Sequence, residues 1–286
     1  MKTTIKRVAA LAVLCGAVLS ASAQVSSGVS DLVLGFRQGA GSTSLEINLG
    51  NITQFTGNTA AGISGTLSLG NLDALLTSTY GASWASDSTL NWGVAGTAGT
   101  LSAATNGQAA RTLWVSDVWT TAAGTLGTQN SVAYGTAFGT SVAGTAASKI
   151  SNVYNGLSGA TAAQTLSGSA VALPSGGNAW LTQETTGASA FTVAGLTNTK
   201  FNNQVTRLAT GTSYSASDLF SITPINAATS SSTFFGTFAL ATDGSLSFTG
   251  SVSAIPEPST YAAIFGAAVL GFVAVRRRRQ TALVRA

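Results

Sequence analysis

The sequence predicts a mainly β body, a β-sandwich with two short helices, set between two apolar terminal segments. Three observations predict it. From Val25 onward, short apolar runs are separated by Gly, Ser, Thr and Asn. Several of these runs alternate apolar and polar residues, the period of a strand with one buried face. Only two stretches space their apolar residues as a helix face requires.

Residues 31–36 and 44–49 open the series as strands. In the second, Leu45, Ile47 and Leu49 alternate with Ser44, Glu46 and Asn48. Residues 63–69 repeat the pattern. Residues 71–80 form the first expected helix, with Asn71 as cap and Gly81 as stop. Strands follow at 90–94 and 111–119, where Trp114 and Trp119 are five apart and so face opposite sides. The second expected helix is 148–157, with Ile150, Val153, Tyr154 and Leu157 on one face. Residues 179–182, 191–196, 218–225 and 234–241 return to strand character. Asp243-Gly244 then separates 238–241 from 246–248, the strongest hairpin signal in the chain. Residues 95–105 and 120–147 are Ala, Gly and Thr stretches, expected as loops or Gly-rich strands. Their Gly-Thr pairs have no fixed period, so no solenoid is expected.

The termini carry their own signals. Lys2, Lys6 and Arg7 precede an apolar core at 8–19, and Ala21-Ser22-Ala23 is a small-x-small cleavage site that places the mature start at Gln24. This is the pattern of a secretory signal peptide, too short for a span. Cys15 lies mid-core behind Leu14, which excludes a lipidation site. At the other end, residues 259–275 are uncharged and 17 long, roughly 25 Å as a helix, enough for a short membrane span. Arg276, Arg277, Arg278 and Arg279 follow directly and set that end as cytoplasmic. Pro256 and Pro258 keep the segment before the span extended. The chain thus divides into a signal peptide (1–23), an exported body (24–254) and a tail (255–286), with 251–255 as linker.

Pro256-Glu257-Pro258, a short apolar helix and a terminal Arg cluster, in that order, resemble the PEP-CTERM sorting signal of exported bacterial proteins. The resemblance covers about a tenth of the chain, and residues 280–286 make a longer end than the family usually shows. It implies recognition of the Pro-Glu-Pro motif by an exosortase, a membrane-embedded protease, after signal peptidase has acted. It also implies a place at the cell surface or in an extracellular matrix, with exopolysaccharide and biofilm as the setting. The body, in residues 31–37 and 92–96, resembles Gly/Thr-rich exported domains that precede this tag elsewhere; those carry no agreed activity. The alternative for the tail is a plain membrane anchor that is never cut.

Charge and composition narrow the chemistry. Charged residues make up 8% of the chain, well below the usual quarter. Between Gln24 and Pro258, five basic residues stand against all nine acids, leaving the body near −4. A nucleic-acid partner is therefore not expected. The chain has no histidine and its single cysteine is Cys15, so imidazole and thiol chemistry are absent from the body, and no metal or cofactor is expected. Carboxylates remain. Asp73, Asp87, Asp117, Glu184 and Asp218 are the candidates for a glycosidase pair, but no motif joins any two of them, and surface or turn roles are expected. Five tryptophans, Trp84, Trp92, Trp114, Trp119 and Trp180, either fill the core or offer an exposed face for stacking on sugar rings.

The expectation is a non-enzymatic surface or matrix protein. A carbohydrate-binding module using exposed Trp is the first alternative, and a carboxylate-dependent hydrolase the second. The alternative fold is a membrane β-barrel, which needs no helical C-terminal anchor.

Overall fold

The apolar runs zip into one antiparallel sheet. The computed structural model describes residues 25–39, 43–56, 63, 65–99, 109–119, 124–131, 139–185, 199–200, 205–207 and 213–251. Its strands are β1 (Asp31–Gln38), β2 (Thr43–Asn51), β3 (Thr66–Asn71), β4 (Leu90–Thr97), β5 (Leu113–Val118), β6 (Thr165–Ser167), β7 (Ala170–Pro174), β8 (Thr199–Lys200), β9 (Val205–Arg207), β10 (Ser213–Pro224), β11 (Ser230–Ala241) and β12 (Ser245–Gly250). The helices are α1 (Thr53–Thr56), α2 (Asp73–Tyr80), α3 (Thr140–Gly159) and α4 (Trp180–Thr185), with a 3-10 turn at Trp84–Ser86. Ten strands run in the order β3-β12-β11-β10-β5-β4-β1-β2-β7-β6, with β8 on β4 and β9 on β10.

The sandwich expectation is corrected here. The strands form one sheet that curls on itself, not two facing sheets. Phe55 of α1, directly after β2, lies 5.5 Å from Phe238 of β11 and 5.3 Å from Phe248 of β12. Those strands are on the far wing of the sheet, so the two wings close over the aromatic helix between them. Strand β4 is buried along its whole length and β1 along most of it, as central strands covered on both faces are.

Alternation assigns two cores. The concave face holds Leu32, Leu34, Phe36, Leu45, Ile47, Trp92, Trp114, Leu219, Phe238 and Phe248, covered by α1, α2 and Trp84. The convex face holds Val33, Ala95, Leu113, Val115, Phe220 and Ile222 beneath α3, with Trp180 of α4. Beside it, Trp119, Tyr214, Ala216, Ala239 and Ala241 form a third cluster against Leu126. Trp114 and Trp119 do face opposite sides.

Most expected strands are present, several with extended ends, but the one expected at 63–69 begins only at Thr66 and the one at 111–119 is trimmed to Leu113–Val118. The helix expected at 71–80 is α2, which Gly81 ends at φ +90°; the expected cap is corrected, since Asn71 closes β3 and Leu72 is the N-cap, although Asn71 Oδ1 does accept the Asp73 amide. Gly244 sits at φ +84° in the β11–β12 turn, as its hairpin signal requires. Two further expectations fail. Residues 180–182 fall in α4, with Ala179 just before it, and not in a strand. Residues 140–147, taken as loop or Gly-rich strand, are the first two turns of α3. Ala143, Ala146 and Ala147 are buried there, and their small side chains bring the helix close to the sheet. The strand expected at 191–196 lies outside the described residues.

Candidate functional site

The residues that the sequence marks for processing all lie outside the described residues. These are Ala21, Ala23 and Gln24, Pro256, Glu257 and Pro258, and Arg276, Arg277, Arg278 and Arg279. What the structure supplies is the body that carries them and the way its side chains are committed.

The tryptophans fill the core, and the alternative of an exposed Trp face is overturned. Trp84, Trp92, Trp114, Trp119 and Trp180 are all buried, at 4% exposure or less. Trp92 Nε1 donates to Ser215 Oγ, Trp84 Nε1 to Asp73 Oδ1 and Trp119 Nε1 to Asp218 Oδ1. The physical reason is that both faces of the sheet are covered: Trp84, Trp92 and Trp114 fill the concave side, Trp180 and Trp119 the other, and a Cys-free domain draws such large apolar groups from aromatics. No sugar-stacking face is made by these rings.

Of the acids considered for a catalytic pair, the structure brings two together. Asp117 of β5 and Asp218 of β10 are register partners and share the convex face. They stand side by side on adjacent strands, not on opposite walls of a cleft. Asp218 is fully buried and accepts five hydrogen bonds. Trp119 Nε1 (2.6 Å) and Thr237 Oγ1 (2.9 Å) donate to Oδ1. The amides of Asn130 (2.6 Å) and Ser131 (2.8 Å) and Ser131 Oγ (2.9 Å) donate to Oδ2. Its four lone-pair directions are thereby occupied. The carboxylate clips segment 124–131 onto the sheet. Asp73 receives Trp84 Nε1 at the start of α2. Asp87 accepts the Thr89 hydroxyl and amide and the Gln38 side chain, which hold it below the usual carboxylate range. Glu184 lies in α4.

A second buried carboxylate went unmarked by the sequence. Glu46 of β2 has no exposure, and its Oε1 accepts the Trp180 amide at the start of α4 (2.5 Å), while Ser44 Oγ accepts the next amide, Leu181 (3.0 Å). Its Oε2 is buried and lacks a hydrogen-bond partner. Burial pushes its pKa up to about 8 against the pull of the Trp180 amide, so it is a neutral acid below that pH. Alternation on β2 correctly placed Glu46 opposite Leu45 and Ile47. It could not show that α4 would cover that face too.

Two tyrosines complete the polar framework. Tyr80 Oη donates to Phe36 O and accepts Leu45 N, joining α2 to the β1–β2 pair. Tyr154 Oη donates to Asp31 O (2.7 Å) and accepts Thr97 N (2.9 Å), joining α3 to the β1–β4 pair. Burial raises the pKa of both hydroxyls, so both remain donors.

Shallow depressions open on the surface among the described residues. One, about 490 Å³, is lined by Arg111 and the first half of α3; another, about 340 Å³, lies between the end of α3 and residues 173–179. Hydroxyls, amides and glycines make up most of both linings. Among the described residues, no group of three acids, Cys or His could hold a metal ion.

The body closes at its last strand. Strand β12 pairs with β11 and β3, and the Ser251 amide donates to Phe235 O. From Ser251 only five residue steps lead to Pro256. The family model for the PEP-CTERM protein-sorting motif matches residues 254–279. No curated protein and no solved structure matches the chain. By that match residues 254–279 carry a PEP-CTERM protein-sorting motif, which implies an exosortase as processing partner and export through the membrane to the cell surface.

Proposed function

We propose that residues 24–254 are non-enzymatic cargo, exported by the signal peptide, held by the 259–275 span, and released when an exosortase-like protease acts at Pro256-Glu257-Pro258. The released body is a structural component of the cell surface or matrix that contacts hydrated polymer such as exopolysaccharide through its Ser, Thr and Asn surface. One observation carries this reading. The last described strand, β12, is tied into the sheet as far as Ser251, five residues before Pro256 in sequence, and the buried acids and tryptophans of the body are committed to holding it together. Exposed α3 residues such as Ser141, Ser148 and Asn155 support a neutral, hydrated surface.

The test is the intact mass of the protein recovered from the surface and medium of producing cells. The expected species begins near Gln24 and ends near Pro258. Glu257→Ala should instead leave the tail attached. If wild type and variant both keep Arg276–Arg279 in the inner membrane, the protein is an ordinary anchored one and the release reading falls.

A further inference from the structure

The registers place the strand ends at two opposite rims. One rim is made by the start of β1, the ends of β2 and β4, the start of β5 and the β10–β11 turn. Four large hydrophobic residues are exposed among those described: Ile225 (66%), Val29, Val142 and Leu166. The first three belong to this rim through a continuous path of contacts. A Cβ built on Gly99 would lie 3.6 Å from Val29. The Arg111 amide donates to Gly99 O, and Arg111 Nη1 donates to Thr140 O. The Thr140 amide donates to Asn226 O, next to Ile225, and Val142 follows on α3. Leu166, on β6, is one residue from the β6–β7 turn, whose Ser169 O accepts the Asn48 amide near the end of β2. The opposite rim carries turns with Asp73, Asp87 and Asp243, and the strand ends bearing Arg37, Lys200 and Arg207. The first rim has Arg111 and Asp31. Neither rim is strongly charged, so the contrast between them is in apolar exposure.

The chain leaves toward the apolar rim. Strand β12 runs from the Asp243 turn downward, and Ser251 lies beside Phe235 of β11. The β10–β11 hairpin continues past this point through its Phe220–Pro224 and Ser230–Phe234 segments to Ile225. Five residue steps from Ser251 to Pro256 span at most about 18 Å, and ten to Tyr261 at most about 36 Å. Five residues of β11, Phe235 back to Ser230, cover a similar distance to the first of these. The sorting motif therefore reaches only about as far as the hairpin tip, and the apolar run begins a short step beyond.

We propose that this rim, with Ile225 at its tip and Val29 and Val142 beside it, rests in the interface of a lipid bilayer while the tail is attached. It rests on the reading of 259–275 as a membrane span. Tethering makes the contact intramolecular, so a few aliphatic side chains suffice, and their shallow insertion needs no anionic lipid. Cutting the tail removes the tether, and the rim alone is too small to keep the body on the membrane. The Pro-Glu-Pro motif is thereby presented to its protease at the height of the lipid surface, and not on a free stalk.

The test uses the full chain with Cys15→Ser, labelled with an environment-sensitive fluorophore at Ile225→Cys or, as control, at Asp243→Cys on the opposite rim. Each is reconstituted into phosphatidylcholine vesicles carrying lipid-borne quenchers, and vesicle flotation is scored separately. The expected result is flotation of both, with the label at 225 blue-shifted and quenched several-fold more by lipid than the label at 243. Flotation with equal, water-exposed labels overturns docking of the rim and leaves the span intact. Failure to float overturns the span and the docking together. Protection of the label at 225 in lipid-free, detergent-solubilised monomer would assign the patch to the protein itself and also overturn the proposal.

Discussion

Replacing Glu46 with Gln should change the pH dependence of stability more than stability itself. In the folded chain the Glu46 carboxyl is buried, with a pKa pushed up to about 8 from an ordinary 4.5. Below 4.5 it is protonated whether the chain is folded or not. Between 4.5 and about 8 the unfolded chain gives up this proton and the folded chain keeps it. The unfolded state then binds fewer protons, so stability falls as pH rises, by up to ~1.4 kcal/mol per pH unit. Over the whole window this reaches roughly 4–5 kcal/mol, and above about 8 the loss stops. Gln keeps an oxygen to accept the Trp180 amide but has no proton to lose. Urea unfolding of the full chain in non-ionic detergent, followed by the fluorescence of the five buried tryptophans, reads this directly. Between pH 5 and pH 8 the wild-type midpoint should drop markedly, and the Gln variant should hold nearly level. In thermal terms the wild-type fall is on the order of 10 °C for a domain of this size. Parallel profiles for the two proteins would refute a neutral buried Glu46 at the start of α4.

Three further substitutions probe the same framework. Gly35→Ala places a Cβ 1.9 Å from Trp180 Cδ2, and overpacking there should cost ~1–3 kcal/mol by urea midpoint; an unchanged midpoint would mean that Trp180 does not lie on β1. Tyr154→Phe leaves Thr97 N and Asp31 O without their bridge and should cost roughly 1–3 kcal/mol, with amide exchange at Thr97 accelerated; unaltered exchange would count against the bridge. Asp218→Asn puts an amide NH₂ among five donors and should cost ~3–5 kcal/mol, with new protease cleavage within 124–131; a stable, uncut variant would show that the carboxylate is not the clip.

The strands were legible because their signal is local. Alternation in Leu45, Ile47 and Leu49, the Asp243-Gly244 turn, and the Gly81 stop of α2 all lie within a few residues of what they determine. The sorting motif was legible for the same reason: Pro256, Glu257 and Pro258 are contiguous and precede a contiguous apolar run. Curling was not legible, because it depends on Phe55 meeting Phe238 and Phe248 across the sheet. Helix α3 was seen only in its second half. Apart from the exposed Val142, its first two turns are Ala, Gly, Ser and Thr, whose helical face exists only because the sheet accepts small side chains there. Helix α4 was mistaken for a strand because Ala179, Trp180 and Leu181 are apolar without period. Glu46 and Asp218 looked like surface acids until the segments that cover them, α4 and 124–131, were in place.

The pairing of β3 with β12 bears on when the protein can fold. Thr66 and Thr249 touch across the outermost ladder although 183 positions separate them, and β5 waits for β10 across about half that span. Contacts so distant in sequence make for slow folding. A chain delivered N-terminus first through an export channel cannot close its sheet until Gly250 has emerged. On the proposed reading of 259–275 as a span, closure and capture of the tail by the membrane fall at the same moment of translocation. A chain stopped before Ser245 should remain digestible however long it waits, and one extended past Ser251 should become resistant within its folding time.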